Sequence, residues 1–211
     1  MWLDVFDRNP YGTNCWLLAA EGSPEVLVVD PGFEPATVRA MIDAAGKRAA
    51  AALLTHAHVD HAAAAAAFAG QDVPVYVHPD DVPAFTDPVA WGRSNQHLEM
   101  PADLRTFLDG DVLRLAGLQI EVLHTPGHTP GSSCFRVGDD TLVFSGDLVF
   151  AGSIGRSDFP ESDPASMEVS LRRFLTLPDD LRTLPGHGPE TTVGWERATN
   201  PFLAGLGREL G

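Results

Sequence analysis

The sequence predicts an α/β (α+β) protein built as a four-layer αββα sandwich, on three observations. Short apolar runs of strand character recur in two halves of the chain, helix-prone segments accompany each half, and Gly, Pro or Asp punctuates the junctions. Each half thus supplies a sheet that must be covered by helices.

Residues 14 to 20 and 25 to 30 are apolar, β-branched-rich runs, and Asp30-Pro31-Gly32 ends the second with a turn, so the pair predicts a hairpin. Residues 35 to 45 place Val38, Met41, Ile42 and Ala45 at helical spacing, with Gly46 where a helix would stop. Residues 51 to 54 form a short buried strand. After it come Thr55-His56-Ala57-His58-Val59-Asp60-His61 and then six alanines, Phe68, Ala69 and Gly70. The helix propensity of alanine predicts a loop-to-helix transition, with the histidines at the mouth of the strand.

Residues 73 to 77 read as another strand, and 79 to 103, rich in proline, as surface loops with one short helix. Four strand-like runs follow, at 112 to 115, 118 to 123, 132 to 137 and 141 to 144. Ala116-Gly117, Pro126-Gly127 and Gly138-Asp139-Asp140 separate them, which predicts a meander. Residues 166 to 175 predict a helix, 181 to 184 a last strand and 195 to 210 a closing helix.

A chain of 211 residues, 44% hydrophobic and 20% charged, is long enough for a substantial core and fits one domain spanning 1–211. Its net charge of -15 argues against a nucleic-acid partner, because a phosphate backbone must be neutralised by cations this chain mostly lacks. Cys15 and Cys134 lie far apart in apolar, strand-like contexts, so both are expected to be buried thiols in a reducing compartment. The N-terminal MWLDVFDRNP has neither a basic nor an apolar leader region, and no stretch approaches the roughly 18 apolar residues of a membrane span. The expectation is a cytoplasmic protein with no membrane partner, its oligomeric state left open.

Three imidazoles and a carboxylate within six residues, His56, His58, Asp60 and His61, occupy a loop with no core to pack against. Metal ligation accounts for so polar a cluster. Alternate residues of an extended loop point the same way, so His56 and His58 can share one ion, while Asp60 and His61 turn with the helix start toward a second. Three further loops, each after a strand-like run, offer one donor apiece: His128 after Thr125-Pro126-Gly127, Asp147 after Ser145-Gly146, and His187 after Pro185-Gly186. Glycine precedes every one of them, which lets the backbone bend sharply and approach closely. Three neutral imidazoles would hold one ion, two imidazoles with Asp60 the other, and Asp147 would bridge both. Two such ions roughly 3.5 to 4 Å apart can share a hydroxide. The expected cofactor is a pair of divalent cations, zinc first, with iron or manganese as alternatives. Asp60 and Asp147 are expected to serve catalysis as well as ligation.

Other candidates read more plainly. His78 and His97 are expected to be ordinary surface or loop residues, and His124 a strand-end hydrogen bonder. Asp30 reads equally as a turn residue and as an acceptor that orients a ligand imidazole. Arg156 and Asp158, in Gly155-Arg156-Ser157-Asp158, read as a substrate-carboxylate site or as a mutual ion pair, the pair being the stronger reading.

The pattern His56-x-His58-x-Asp60-His61 followed by His128, Asp147 and His187 resembles the metallo-β-lactamase-fold superfamily over residues 14 to 202. Within it GDLVFAGSIGRSDFP, PGHGPETTVGWE and TNPFL are similar to the type II glyoxalases (hydroxyacylglutathione hydrolases), particularly their short single-domain bacterial relatives. The resemblance implies the sandwich of that superfamily and hydrolysis of a small-molecule acyl thioester. A metal-bridging hydroxide would attack the carbonyl, Asp60 would orient it, and a thiolate with a pKa near about 8.5 would leave without a strong general acid. Only 24 residues follow His187, where full-length relatives carry a helical domain with basic groups for glutathione. Common zinc β-lactamases place a cysteine at the position of Asp147, so antibiotic hydrolysis is not expected. The rival readings are a one-iron persulfide dioxygenase, with His56, His128 and Asp147 as its facial triad, a lactonase, and a non-catalytic metal-holding interaction module.

Overall fold

Successive residues of each central strand enter different apolar layers, and this alternation builds the architecture. The computed structural model describes residues 1–69, 72–89, 91–92, 97–138 and 141–206. Its first sheet runs, in spatial order, β1 (Trp2–Phe6), β2 (Cys15–Ala19), β3 (Glu25–Val29), β4 (Arg48–Leu53), β5 (Val75–Val77) and β6 (Leu104–Thr106). β1, β2 and β3 pair antiparallel, as the predicted hairpin requires, and β3 through β6 pair parallel.

The second sheet contains β7 (Val112–Leu115), β8 (Leu118–His124), β9 (Ser133–Val137) and β10 (Leu142–Gly146) as the predicted meander. A small hairpin of β11 (Val149–Phe150) and β12 (Ser153–Ile154) follows, and β13 (Arg182–Pro185) then adds parallel to β10, with β14 (Thr191–Thr192) outside it. The helices are α1 (Pro35–Ala44), α2 (Val59–Ala62), α3 (Ala65–Ala69), α4 (Pro83–Thr86), α5 (Pro164–Phe174) and α6 (Val193–Thr199).

Three apolar layers separate four layers of structure. Leu17, Val26 and Val28 face Val38 and Ile42 of α1 and Phe68 of α3. Their neighbours Leu18, Leu27 and Val29 turn the other way, meeting Ile120, Val122, Phe135 and Phe144 between the sheets. Leu123, Cys134 and Val143 then lie beneath Met167, Leu171 and Phe174 of α5 and Val193 of α6. Strands covered on both faces read as unbroken apolar runs, which is why Cys15–Ala19 and Val26–Val29 carry no polar residue. Helix α5 starts at a cap, the Asp163 carboxylate accepting from the Ala165 N–H with Pro164 behind it.

The structure departs from the sequence expectation in four places. β1 forms as an antiparallel edge strand on a segment the sequence reading left without an element, and β6, β11, β12 and β14 are too short for a periodic signal. The alanine run is two short helices instead of one, because the Ala64 N–H donates to the Gly32 carbonyl at 2.6 Å and leaves the helical ladder. The closing helix stops at Thr199, since Asn200 precedes Pro201 and adopts an extended conformation. Residues 201–205 are turns, and the predicted helix beyond 206, to 210, lies outside the described residues. Among the described residues no helix is long and apolar enough to cross a membrane.

Candidate metal centre

The seven candidate donors follow the carboxyl ends of β4, β8, β10 and β13, and the packing of the two sheets brings all seven together. His56, His58 and His128 each present a ligating atom within 4.8 Å of the others; so do His56, His61 and Asp147, and so do Asp60, His61 and His187. Nε2 of His56 is 3.1 Å from Nδ1 of His58. Oδ2 of Asp60 stands 3.4 Å from Nε2 of His61 and 3.2 Å from Nε2 of His187. Asp147 faces both groups, its Oδ1 3.4 Å from His61 Nε2 and its Oδ2 3.4 Å from His128 Nε2 and 3.6 Å from His187 Nε2. Donors about 2.0 to 2.1 Å from a tetrahedral ion stand roughly 3.3 to 3.4 Å apart, so these edges fit two cation sites that share Asp147.

Buried polar atoms point the same way. Nε2 of His61, Nε2 of His128 and Oδ1 of Asp147 are buried and have no hydrogen-bond partner. Folded proteins leave such atoms bare only where something else satisfies them, and a cation suits a cluster of lone pairs.

The outer nitrogens are held by the protein. His56 Nδ1 meets the Thr55 hydroxyl at 3.1 Å, His61 Nδ1 meets Asp30 Oδ2 at 2.9 Å, and His128 Nδ1 meets the carbonyl of Arg156 at 2.7 Å. Burial, reinforced by the other imidazoles, drives His56 well below its usual pKa; burial lowers His128 too, against the pull of Asp147. Both shifts favour the neutral imidazole, the form that ligates. Burial would lower His61 as well, but Asp60, Asp147 and Asp30 overturn it and raise the ring to about 10. Asp60 is held well below the carboxylate range although burial opposes this, by His61, His187 and the Thr13 hydroxyl, which donates to Oδ2 at 3.0 Å.

Two glycines show why the loops can converge. Gly127 has φ +136, and a Cβ there would overlap the backbone of Met167 at the start of α5. A Cβ on Gly186 would overlap Asp147 Oδ1 and the His61 ring. The chain before His187 is further tied to the start of β2: the N–H of Asn14, just before the strand, donates to the Gly186 carbonyl at 2.7 Å, and Trp16 Nε1 to the Pro185 carbonyl at 2.9 Å.

Asp30 fills both roles the sequence left open. It adopts φ +53, a conformation Asp tolerates in turns, and its carboxylate accepts from the Thr55 N–H and hydroxyl while facing His61. Sequence reasoning missed Thr13, Thr55, Asp81 and Glu161. Asp81 is fully buried, pushed up to about 6 by burial against three donated hydrogen bonds, from the Ala57 N–H, the Thr129 hydroxyl and the Gly131 N–H. It thereby ties the His56 loop to the His128 loop. A threonine beside a histidine run is a legible signal for Thr55; for Asp81 and Glu161 the local sequence carries none.

The centre opens on a cleft of about 690 Å³ whose walls include Tyr11, Phe33, Phe150, Ile154 and Phe159. Tyr11 and Phe33 stack with ring centroids 5.1 Å apart. Arg156 also lines the cleft, but its guanidinium lies over Phe159 and forms a two-point pair with Asp158 at 2.8 and 3.0 Å. Of the two sequence readings, the mutual ion pair is the one seen.

His78 is a loop residue as expected, following β5, but it is not on the surface: it is only 5% exposed, and its ring lies parallel to that of His124, centroids 3.9 Å apart and 8° from coplanar. Asp80 completes a second His/Asp cluster there. Parallel rings keep their in-plane lone pairs in two separate planes, and the contact seen between His78 and His124 is a stack. His97 is exposed, and His124 Nε2 bonds the Pro130 carbonyl at 2.9 Å, as a strand-end residue should. Burial, aided by His124 and opposed by Asp80 and Asp109, lowers His78 to about 4. An unfolded imidazole protonates near about 6.5. Between these values the unfolded chain binds the extra proton, so stability is expected to fall as pH falls from about 6.5 toward 4. Urea unfolding across that range, compared with His78→Asn, checks this: the variant should lose part of the slope, and parallel curves would contradict it.

Comparison with known proteins bears on the same residues. The sequence profile of the Metallo-beta-lactamase superfamily matches residues 8–187. The BLEG-1 B3 metallo-beta-lactamase superposes with TM-score 0.88 at 32% identity, covering 97% of this chain and 100% of its own. TTHA1623, solved in a di-iron-bound form, superposes with TM-score 0.80 at 42% identity over 95% of this chain and 100% of its own. The hydroxyacylglutathione hydrolase GloC of Haemophilus influenzae is 31% identical over 95% of this chain and 97% of its own length.

Proposed function

The chain belongs to the metallo-beta-lactamase superfamily of metal-dependent hydrolases, and from that premise we propose that it is a two-cation thioester hydrolase of the hydroxyacyl-thiol type. One observation carries the reading: Asp147 faces His61 and His187 on one side and His128 on the other, at the wall of a cleft that offers little else able to donate a proton. Beyond the donors and the paired Arg156, Tyr11 is the one protic side chain among the described residues of that lining. A pair of divalent cations, zinc or the iron found in TTHA1623, would supply ionised water near neutral pH and a Lewis acid for a carbonyl oxygen.

The chain's own residues do the rest. Asp60, fixed by the Thr13 hydroxyl and flanked by His61 and His187, would orient an attacking water beside the cation pair. Phe33, Phe150, Ile154 and Phe159 line the cleft and would pack against the apolar parts of the substrate. A thiolate leaves unprotonated because its pKa is near about 8.5, whereas an amide nitrogen needs a proton donor. That difference favours a thioester over the lactam named for BLEG-1.

The test is metal analysis of protein purified without added metal, with turnover measured on S-lactoylglutathione, an acyl-coenzyme A, a chromogenic cephalosporin and a persulfide. About two ions per chain and thiol release without oxygen, lost on chelation and restored by zinc or iron, are expected. One iron per chain with oxygen uptake on the persulfide, or cephalosporin turnover without thiol release, would overturn the reading.

A further inference from the structure

His58 is held differently from the other buried candidate ligands. In His56, His61 and His128 the Nδ1 side is bonded to the protein, to Thr55, Asp30 and the Arg156 carbonyl, and Nε2 faces the centre. In His58 the ring is reversed. Its Nε2 lies 2.8 Å from Oε1 of Glu161, and its Nδ1 lies 3.1 Å from His56 Nε2. The Glu161 side chain is 1% exposed and that of His58 7%, among the rings of Trp91 and Phe159, so the contact is buried.

We propose that Glu161 is a positioning residue for the metal centre: by accepting the Nε2–H of His58 it leaves the Nδ1 lone pair as the ligating one and holds the ring toward His56 and His128. The proposal rests on the metal-centre reading above. A neutral imidazole carries its proton on one nitrogen, and a carboxylate acceptor at Nε2 selects that tautomer and makes the opposite nitrogen a stronger donor. Glu161 lies 103 residues from His58 in sequence, on the segment that also brings Arg156 and Phe159 to the cleft. The next residue, Ser162, donates to the His128 carbonyl at 2.7 Å, and the Asp163 N–H donates to the Gly127 carbonyl at 2.9 Å. One short segment thus grips two candidate ligands of the same ion and forms part of the substrate wall.

Zinc affinity, read by competition with a chromophoric chelator, tests this without reference to turnover. Glu161→Ala should weaken one of the two bound ions by about 10- to 100-fold and leave the other unchanged. Glu161→Gln, whose amide oxygen still accepts from Nε2–H, should recover much of that loss. In the zinc-loaded wild type, imidazole ¹⁵N shifts should show His58 bound through Nδ1 with a proton on Nε2; this measurement stands even if the alanine variant does not fold. Equal affinity for both ions in wild type and Glu161→Ala, or Nε2 ligation by His58, would overturn the proposal. Wild-type protein that binds no metal would instead sink the metal-centre reading itself.

Discussion

Asp147→Ala is expected to cost more activity than any other single change, exceeding the roughly 10- to 100-fold typical of losing a residue that merely orients a ligand. Asp147 is the carboxylate that faces both donor groups, with contacts of 3.4 Å to His61, 3.4 Å to His128 and 3.6 Å to His187. On the two-cation reading its removal takes a donor from each ion together, so bound metal should fall below two per chain along with kcat. The metal-free fold should lose stability as well, read by urea unfolding, because Asp147 is one of the carboxylates that favour the charged form of the buried His61 ring. A variant that keeps two ions and wild-type kcat would remove Asp147 from the centre.

The second large effect is expected in stability. Asp30 is 1% exposed and accepts the Thr55 N–H at 2.8 Å and the Thr55 hydroxyl at 2.7 Å, and it meets His61 Nδ1 at 2.9 Å. Asp30→Ala strands these groups where water does not reach, a loss of about 3 to 5 kcal/mol by analogy with breaking a buried ion pair. The alanine must also adopt the positive φ of 53° that Asp tolerates better. His61 loses its orienting partner at the same time, so metal affinity should drop with stability. Asp30→Asn should fall between, since its oxygen can still accept from Thr55 while its amide group meets the remaining donors. Urea unfolding and metal titration of both variants measure the two losses separately. A shift within about 1 kcal/mol for Asp30→Ala would show that the Thr55 and His61 contacts contribute little.

Much of the fold was legible because its signals are local. The apolar runs at 14 to 20, 25 to 30 and 112 to 144 became β2, β3 and β7 to β10 within a residue or two at most ends. Their unbroken hydrophobicity reflects strands covered on both faces, which is the origin of the four layers. The alanine run misled in the opposite sense: propensity favoured one helix, and a single long-range bond, from Ala64 to Gly32, divided it. Asn200-Pro201 carried a stop signal that the closing-helix expectation ran past.

The candidate centre divides along the same line. Residue type and close spacing in the segment from His56 to His61, and glycine before His128, Asp147 and His187, were enough to name seven donors, because those features are chemical and local. Which nitrogen each imidazole turns inward was decided only when the sheets packed. Asp30 reaches His61 from 31 residues away, Asp81 reaches Gly131 from 50, and Glu161 reaches His58 from 103. No periodicity relates such pairs. The sequence by itself determined the candidate donors and the layers that carry them, through spacing and alternation. The tertiary structure alone decided the partners that orient those donors, because a hydrogen bond between distant segments exists only after the cores between them have closed.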